Sequence, residues 1–216
     1  RNVLVTGEAM QVLGGYGFCR DYPIEQMMRN SKILAIFEGA NGIQGIDLVM
    51  RKILMNPDQY NYRVWEKKIR RTIASARGVV DDPLVNQVEK GLEKMNQVME
   101  KMKTFMTGGR VLHVFASATP FRKAMYMMSL AWMHLWSLCS TVPALKKLAG
   151  ARDAGALGEF IKDNDEAAFY AGRVTASRFF ILKEFPEFCG MVDAIMRDEN
   201  PVLDAQAEIF HGAPAE

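Results

Sequence analysis

From Ala124 to Leu145 the chain carries no charged side chain, and this run constrains the fold more than any other feature. It is long enough to cross a bilayer. Yet Ser129, His134, Ser137, Ser140, Thr141 and Pro143 interrupt it, and Trp132 and Trp136 sit in its middle. Spanning helices keep their tryptophans near the membrane interfaces. The run therefore reads as a core helix of a soluble helical protein, extending from about Pro120 to Leu148, apolar on nearly every side and the most buried in the chain. Such a helix needs other helices around it.

The sequence supplies them. Alternating strand patterns are missing, and Gly and Pro punctuate long segments of 3.6-residue periodicity. The strongest runs from Pro83 to Thr107, where Val85, Val88, Leu92, Met95, Met99, Met102 and Met106 form an a/d seam, opened by Asp82-Pro83 and closed by Gly108-Gly109. An earlier helix is expected over about Tyr62 to Val79 with Trp65, Ile69, Ile73 and Ala76 on one face. A later one starts near Asn164, turns Phe169, Ala176, Phe180 and Leu182 inward, and breaks at Pro186. A last helical piece covers Glu187 to Arg197, and His211 to Glu216 reads as a frayed tail. Asn56-Pro57 marks a seam, Asn being able to cap a helix and Pro fitting its first turn. Methionines such as Met125, Met127, Met128 and Met133 read as adaptable core filler.

Composition narrows the function by exclusion. A net charge of +2 gives no strong pull toward nucleic acid, and the basic runs at Lys67–Arg71 and Lys146-Lys147 read as solvated helix faces. Cys19, Cys139 and Cys189 lack CxxC spacing and read as free thiols in a reducing compartment. His113, His134 and His211 show no ligand-like spacing, so no metal site is expected.

The functional information lies near the start, in QVLGGYGFCRDYPIEQMMRNSKILAIFEG from Gln11 to Gly39, continued by ANGIQGIDLVMRK. Glu38 stands alone among Ile36, Phe37 and Gly39. An apolar neighbourhood disfavours a charged carboxylate, which is the setting a tunable general base needs. Taken by themselves, Gly14-Gly15 would be a helix-ending turn and Glu38 the end of an apolar helix with a glycine cap. Glu25 and Arg29 have the spacing of a structural ion pair. Since the chain opens on Arg1 with apolar residues already running, it reads as a piece of a longer polypeptide.

These motifs together resemble the C-terminal helical domain of the acyl-CoA dehydrogenases. QVLGGYGFCRDYPIE is similar to the family's Q-x-L-G-G-x-G-[FY]-x-x-[DE]-Y-P-[VI]-E turn. Met28-Arg29-Asn30-Ser31-Lys32-Ile33 resembles R-D-A-[RK]-I, and Ile36 to Gln44 resembles I-[YF]-E-G-T-x-x-I-Q. The stretch from Gly42 to Lys52 is similar to G-I-Q-x-x-D-L-V-x-R-K of the large bacterial members, which carry an additional C-terminal helical extension. Ala168 to Phe180 resembles that extension's F-Y-x-x-K-x-x-x-A-R-F-[FY], with Arg173 where Lys is usual. Ala40 stands in place of Thr, and Asn30 in place of Asp.

The resemblance implies an all-α fold. Residues 1–55 would be the end of the family's C-terminal four-helix domain, and 56–216 an additional antiparallel helical domain. It implies oxidation of an acyl-CoA thioester to a trans-2-enoyl-CoA, with Glu38 as the catalytic base at the α-carbon and FAD as hydride acceptor. Gln11, Val12, Leu13, Gly14 and Gly15 would pack on the FAD of a neighbouring subunit, Ala40, Asn41 and Gly42 on that of the same subunit, and Gly39 would line the substrate slot. An electron-transfer flavoprotein or similar acceptor, a homodimer, a role in fatty-acid β-oxidation and a cytoplasmic location follow as further expectations, with no transmembrane segment. The family's flavin-cradling β-domain is not among these residues, so the chain alone is expected to bind FAD weakly or not at all and to be inactive. The alternatives are an acyl-CoA oxidase, whose C-G-G-H-G-Y would stand where this chain has Val12 to Gly17, and a non-catalytic helical module that retains the motif.

Overall fold

The computed structural model describes residues 2–211, and among these every regular element is helical, as the sequence predicts. The closing tail expected to fray lies, from Gly212 on, outside the described residues. Contacts divide the chain into two units, Arg1–Asp47 and Leu48–Glu216.

The first unit holds α1 (Asn2–Val12), α2 (Pro23–Ile33) and α3 (Asn41–Asp47), with a tight 3₁₀ turn at Gly14–Phe18 after α1. α2 starts where Pro23 follows an extended Tyr22, since proline suits a first helical turn and pushes its predecessor out of helical backbone. The Thr6 hydroxyl of α1 donates to Met28 Sδ of α2 at 3.1 Å. Among the described residues of this unit the buried ones are two glycines, Gly17 and Gly45.

The second unit opens on a wide-turned segment, Leu48–Leu54, whose Val49 and Ile53 are buried. α4 (Tyr60–Ala76), α5 (Asp82–Thr107) and α6 (Val111–Ala149) follow, then α7 (Ala154–Lys162), α8 (Asp165–Phe179), α9 (Glu187–Met196) and the short α10 (Glu208–His211). The pairs α4–α5, α5–α6 and α6–α8 run antiparallel, whereas α9 runs parallel to α5, with Lys94 near Asp193 and Lys101 near Asp198. Tyr62 Oη donates to Asn96 Oδ1 at 2.8 Å, while Arg77 at the far end of α4 reaches Glu89 at 2.5 Å near the start of α5. The Phe105 and His113 rings face each other at 5.3 Å beside the α5–α6 turn, and Gly91 lies against Met128 farther along. His134 and Ser137 of α6 meet Ser177 and Arg173 of α8 at 3.1 and 3.2 Å, again in opposite directions.

The core is formed by α4, α5 and α6 with the Leu48–Leu54 segment, α8 and α9. Phe105, Phe121, Phe185, Phe188, Ile53, Ile69, Leu92, Met95, Met102, Met127, Met128 and Leu135 are its largest fully buried side chains. The predicted α5 seam is present through Met102, but Phe105 replaces Met106 as its last buried residue. A second row, Leu84, Gly91, Val98 and Phe105, is buried as well, because α5 is covered by more than one partner. Gly91 is the tightest point. A Cβ built there would stand 2.4 Å from Phe185 Cζ and 3.1 Å from Met128 Sδ, so the missing side chain is what lets the Phe185 ring enter.

Several expectations need correction. α6 begins at Val111 instead of Pro120, and Pro120 and Pro143 both lie inside it. An interior proline costs about 3 kcal/mol; burial of Val114, Ser117, Ala118 and Phe121 along the first three turns offsets it. α6 is also not covered on every side, because Trp136 is 60% exposed and Tyr126 and Met133 are partly so. No helix among the described residues is long and apolar enough to cross a membrane. Along α8 and the wide turn after it the predicted inward face is out of phase: Phe169, Ala176 and Leu182 are exposed, whereas Ala167, Ser177 and Ile181 are buried. The close α6–α8 approach uses small side chains and leaves Phe169 outside, while Phe180, predicted inward, is half-buried and stacks on His134. The break is in place, with a wide turn at Phe180–Glu184 and α9 starting after Pro186. At the Asn56-Pro57 seam, Asp58 and Gln59 are left-handed, which delays α4 to Tyr60. Trp65 is only half-buried on the inward face, its indole donating to Ser129 Oγ at 3.1 Å.

Two expected outcomes follow. Gly91→Ala should destabilise the 216-residue chain by about 1–3 kcal/mol through overpacking. Gly172→Ala, on exposed α8 backbone with nothing within 4 Å of a new Cβ, should stabilise it by roughly 0.5–1 kcal/mol. Urea midpoints check the pair; equal shifts would contradict the packing described. The second concerns His134, which stacks on Phe180 at 4.4 Å. Burial first, and then the Arg173 charge, lowers its pKa from the ordinary 6.5. The stability this contributes is complete above the unfolded imidazole value and is lost as pH falls through the lower folded value. Between pH 7 and 5, wild-type stability should therefore fall more than that of His134→Gln, as urea melts across that window would show.

Candidate active-site segment

The motif residues lie in two local turns of the first unit. The first closes α1. Leu13 N–H donates to Met10 O at 3.2 Å, Gly14 is left-handed at φ 59°, and the 3₁₀ turn Gly14–Phe18 follows. Gly17 is the glycine this turn requires, because a Cβ there would press to 2.6 Å from Met10 O. At Gly14 and Gly15 a Cβ would meet nothing within 4 Å, so their backbone faces open space. Gln11 is exposed, as are Val12 and Leu13.

The second turn follows α2. Ile36 and Phe37 donate from their N–H groups to Ile33 O at 2.9 and 3.0 Å. The chain then reverses through two consecutive positive φ angles, 57° at Glu38 and 105° at Gly39. Gln44 N–H donates to Ala40 O at 3.1 Å, which opens α3. A left-handed non-glycine residue costs roughly 1–2 kcal/mol, and Glu38 carries that strain. It is held by a contact with no signature in the sequence: Gln44 Nε2 donates to Glu38 O at 2.6 Å.

Glu38, Gly39, Ala40, Asn41 and Gly42 are thus gathered on one turn, all exposed. The Gln11–Gly15 turn is tied to α1, and the Glu38–Gly42 turn to α3. Ile36 and Phe37, which in sequence promised an apolar setting for Glu38, are 59% and 49% exposed. They do not shield the carboxylate within this chain. Between α1 and α2 lies an open depression of about 420 Å³ lined by Val5, Thr6, Met27, Asn30, Ser31 and Leu34 together with Asn2; it includes none of the predicted site residues. Glu25 and Arg29 pair as the spacing predicts, Nε to Oε1 at 2.5 Å, and the guanidinium holds the Glu25 carboxyl below the usual carboxylate range. All three cysteines are free, and no cluster of His, Cys, Asp and Glu among the described residues is placed to hold a metal.

The family model described as "Acetyl-CoA dehydrogenase C-terminal like" matches residues 65–206, and that of the "Acyl-CoA dehydrogenase, C-terminal domain" matches 1–54. The chain belongs to the acyl-CoA dehydrogenase family. It is 25% identical over 205 residues to a butyryl-CoA dehydrogenase of Syntrophomonas wolfei, covering 95% of this chain and 31% of that protein. With a broad-specificity linear acyl-CoA dehydrogenase of Mycobacterium tuberculosis it shares 27% identity over 215 residues, 94% of this chain and 32% of the relative. A cyclohexane-1-carbonyl-CoA dehydrogenase of Syntrophus aciditrophicus is 55% identical over 51 residues, 24% of this chain and 13% of that protein. The chain therefore spans about a third of the length of the relatives it matches throughout, and is similar to their C-terminal region.

The first unit of this family member has no buried apolar side chain among its described residues. Its amides should exchange far faster than those of α5. Hydrogen exchange on the monomeric chain checks this: residues 11–47 should lose protection well before 82–107, and equal protection would contradict the division.

Proposed function

We propose that this chain is the C-terminal part of a flavin-dependent acyl-CoA dehydrogenase, with Glu38 as the base that removes the α-proton of an acyl-CoA thioester. The observation that carries the reading is the turn itself. A lone carboxylate is exposed on a strained left-handed residue, immediately before a helix, in a segment matched by the family's C-terminal model. Backbone strain of this kind is retained where surrounding structure over-determines it, often at reacting sites.

The chain's own residues divide the work. The Glu38 carboxylate accepts the α-proton, and its backbone N–H donates to the thioester carbonyl, stabilising the enolate charge that develops. The carboxylate is exposed in this chain; a bound acyl-CoA would strip water from around it. Gly39, left-handed and lacking a side chain, lines the thioester slot.

FAD, when bound, supplies the acceptor for the β-hydride. The open backbone at Gly14, Gly15 and Gly42, where a Cβ would meet nothing within 4 Å, suits close approach by such a group. Gln11 to Gly15 would hold the flavin of a neighbouring subunit, and Ala40, Asn41 and Gly42 that of their own. Ala40 brings no hydroxyl to it. Both faces are partial, and by this reading the chain alone binds FAD weakly or not at all and is inactive. We place the end of the catalytic helical domain at residues 1–55 and a C-terminal extension at 56–216. An electron-transfer flavoprotein as acceptor, a homodimeric enzyme, β-oxidation as the setting and the cytoplasm as the location belong to the same proposal.

In the flavin-loaded polypeptide that contains this chain, Glu38→Gln should leave acyl-CoA binding nearly intact and slow flavin reduction by at least about 10²-fold, because an amide cannot accept the proton. Stopped-flow absorbance reads the rate. Reduction at the wild-type rate would refute the assignment.

A further inference from the structure

We propose that Gln44 is a positioning residue for the Glu38 base, its carboxamide holding the Glu38 carbonyl and so fixing the turn that presents the carboxylate. The inference rests on the reading of Glu38 as base and adds the residue that sets its orientation.

Three observations converge on it. Gln44 Nε2 lies 2.6 Å from Glu38 O across six residues of chain, so a side chain on the first turns of α3 reaches back over the loop before it. Glu38 and Gly39 adopt successive φ angles of 57° and 105°. Glu38 lacks glycine's freedom, so something outside the residue must offset the strain. The same amide also passes over Gly39, where a built Cβ would stand 3.0 Å from Gln44 Nε2. Gly39 is therefore fixed twice, by its own backbone angle and by the amide lying across it.

The direction of the Glu38 carbonyl defines ψ at Glu38. With φ already in the left-handed region, ψ decides how the Glu38 N–H and Cβ are oriented relative to Gly39 and the chain that leads into α3. Holding that oxygen against α3 keeps the two groups that would act on the substrate, carboxylate and N–H, in one arrangement relative to the Gly39–Gly42 turn. Without the amide, the carbonyl can turn to water and Glu38 can relax toward ordinary backbone. Preorganisation would be lost while the carboxylate itself remained.

Gln44→Met removes the donor at nearly equal length, and Gln44→Glu replaces it by a carboxyl that can donate only while protonated. In the isotopically labelled 216-residue chain, Gln44→Met should shift the Glu38 and Gly39 amide resonances while leaving those of α5 unchanged. In Gln44→Glu the same resonances should lie near wild type at low pH and move toward the Met variant's as the new carboxyl ionises. In the flavin-loaded polypeptide, Gln44→Met should slow flavin reduction by about fivefold to tenfold, the scale of one hydrogen bond, with KM for acyl-CoA little changed.

Loss of rate in Glu38→Gln alongside an unchanged rate and unchanged Glu38 resonances in Gln44→Met overturns this inference and leaves the base assignment standing. An unchanged rate in Glu38→Gln overturns the base assignment and the positioning role together.

Discussion

The second unit depends on covering α6. A helix whose middle has no charged residue cannot remain in water on most of its faces, and the helices before and after it are arranged to remove that surface. α5 approaches from one side with two rows of buried residues, and α8 and α9 from another. Gly91 is where these demands meet. Phe185 and Phe188, stacked at 5.1 Å, enter the core just past the wide turn of Phe180–Glu184, and only a residue without a side chain on α5 leaves room for the Phe185 ring. Burying one such ring contributes roughly 1.5–3 kcal/mol. The break at Pro186 and the wide turn before it thus belong to the packing, since they bring both rings to face α5.

The first unit works by a different physics. It has helices, a proline start, an exposed Glu25–Arg29 pair and a hydroxyl-to-sulfur contact, but no buried apolar side chain among its described residues. Exposed ion pairs and local hydrogen bonds contribute little net stability. Val12, Phe18, Ile36, Phe37 and Ile43 all remain in water. Such a surface suits a segment whose neighbours come from elsewhere in a larger enzyme, as proposed above, and the strained turn at Glu38 is what this segment offers them.

Much of this was legible in the sequence because periodicity reports burial directly. The α5 seam is in place from Val85 to Met102. One helix start tied to capping chemistry was also legible, since the Asn164 side chain accepts from Ala167 N–H at 2.8 Å and starts α8, whereas Asn56 makes no side-chain cap. What failed were arguments from residue size. Phe169 and Leu182 are large and exposed, while Ser177 is small and buried, because the α6–α8 contact is close and partly polar. Pro120 suggested a helix start where burial of Val114 and Phe121 carries the helix through it. In the site, the Gly14, Gly15 and Glu38 turns could be read as motifs, whereas Gln44 could not. Its role depends on a left-handed backbone angle at Glu38 that no one-dimensional pattern reveals. In sequence the apolar neighbours of Glu38 suggest shielding, yet Ile36 and Phe37 are exposed, since a turn has no interior of its own.

The central claim is that Glu38 takes a proton from the carbon next to a thioester carbonyl. The most direct measurement separates that step from oxidation, using an acyl-CoA analogue with no transferable hydrogen at its β-position. Incubated in deuterated water with the flavin-loaded polypeptide that contains this chain, the analogue should gain deuterium at its α-carbon, read by mass spectrometry, and should gain far less with the Glu38→Gln variant. Exchange at the same rate in both proteins would contradict the account.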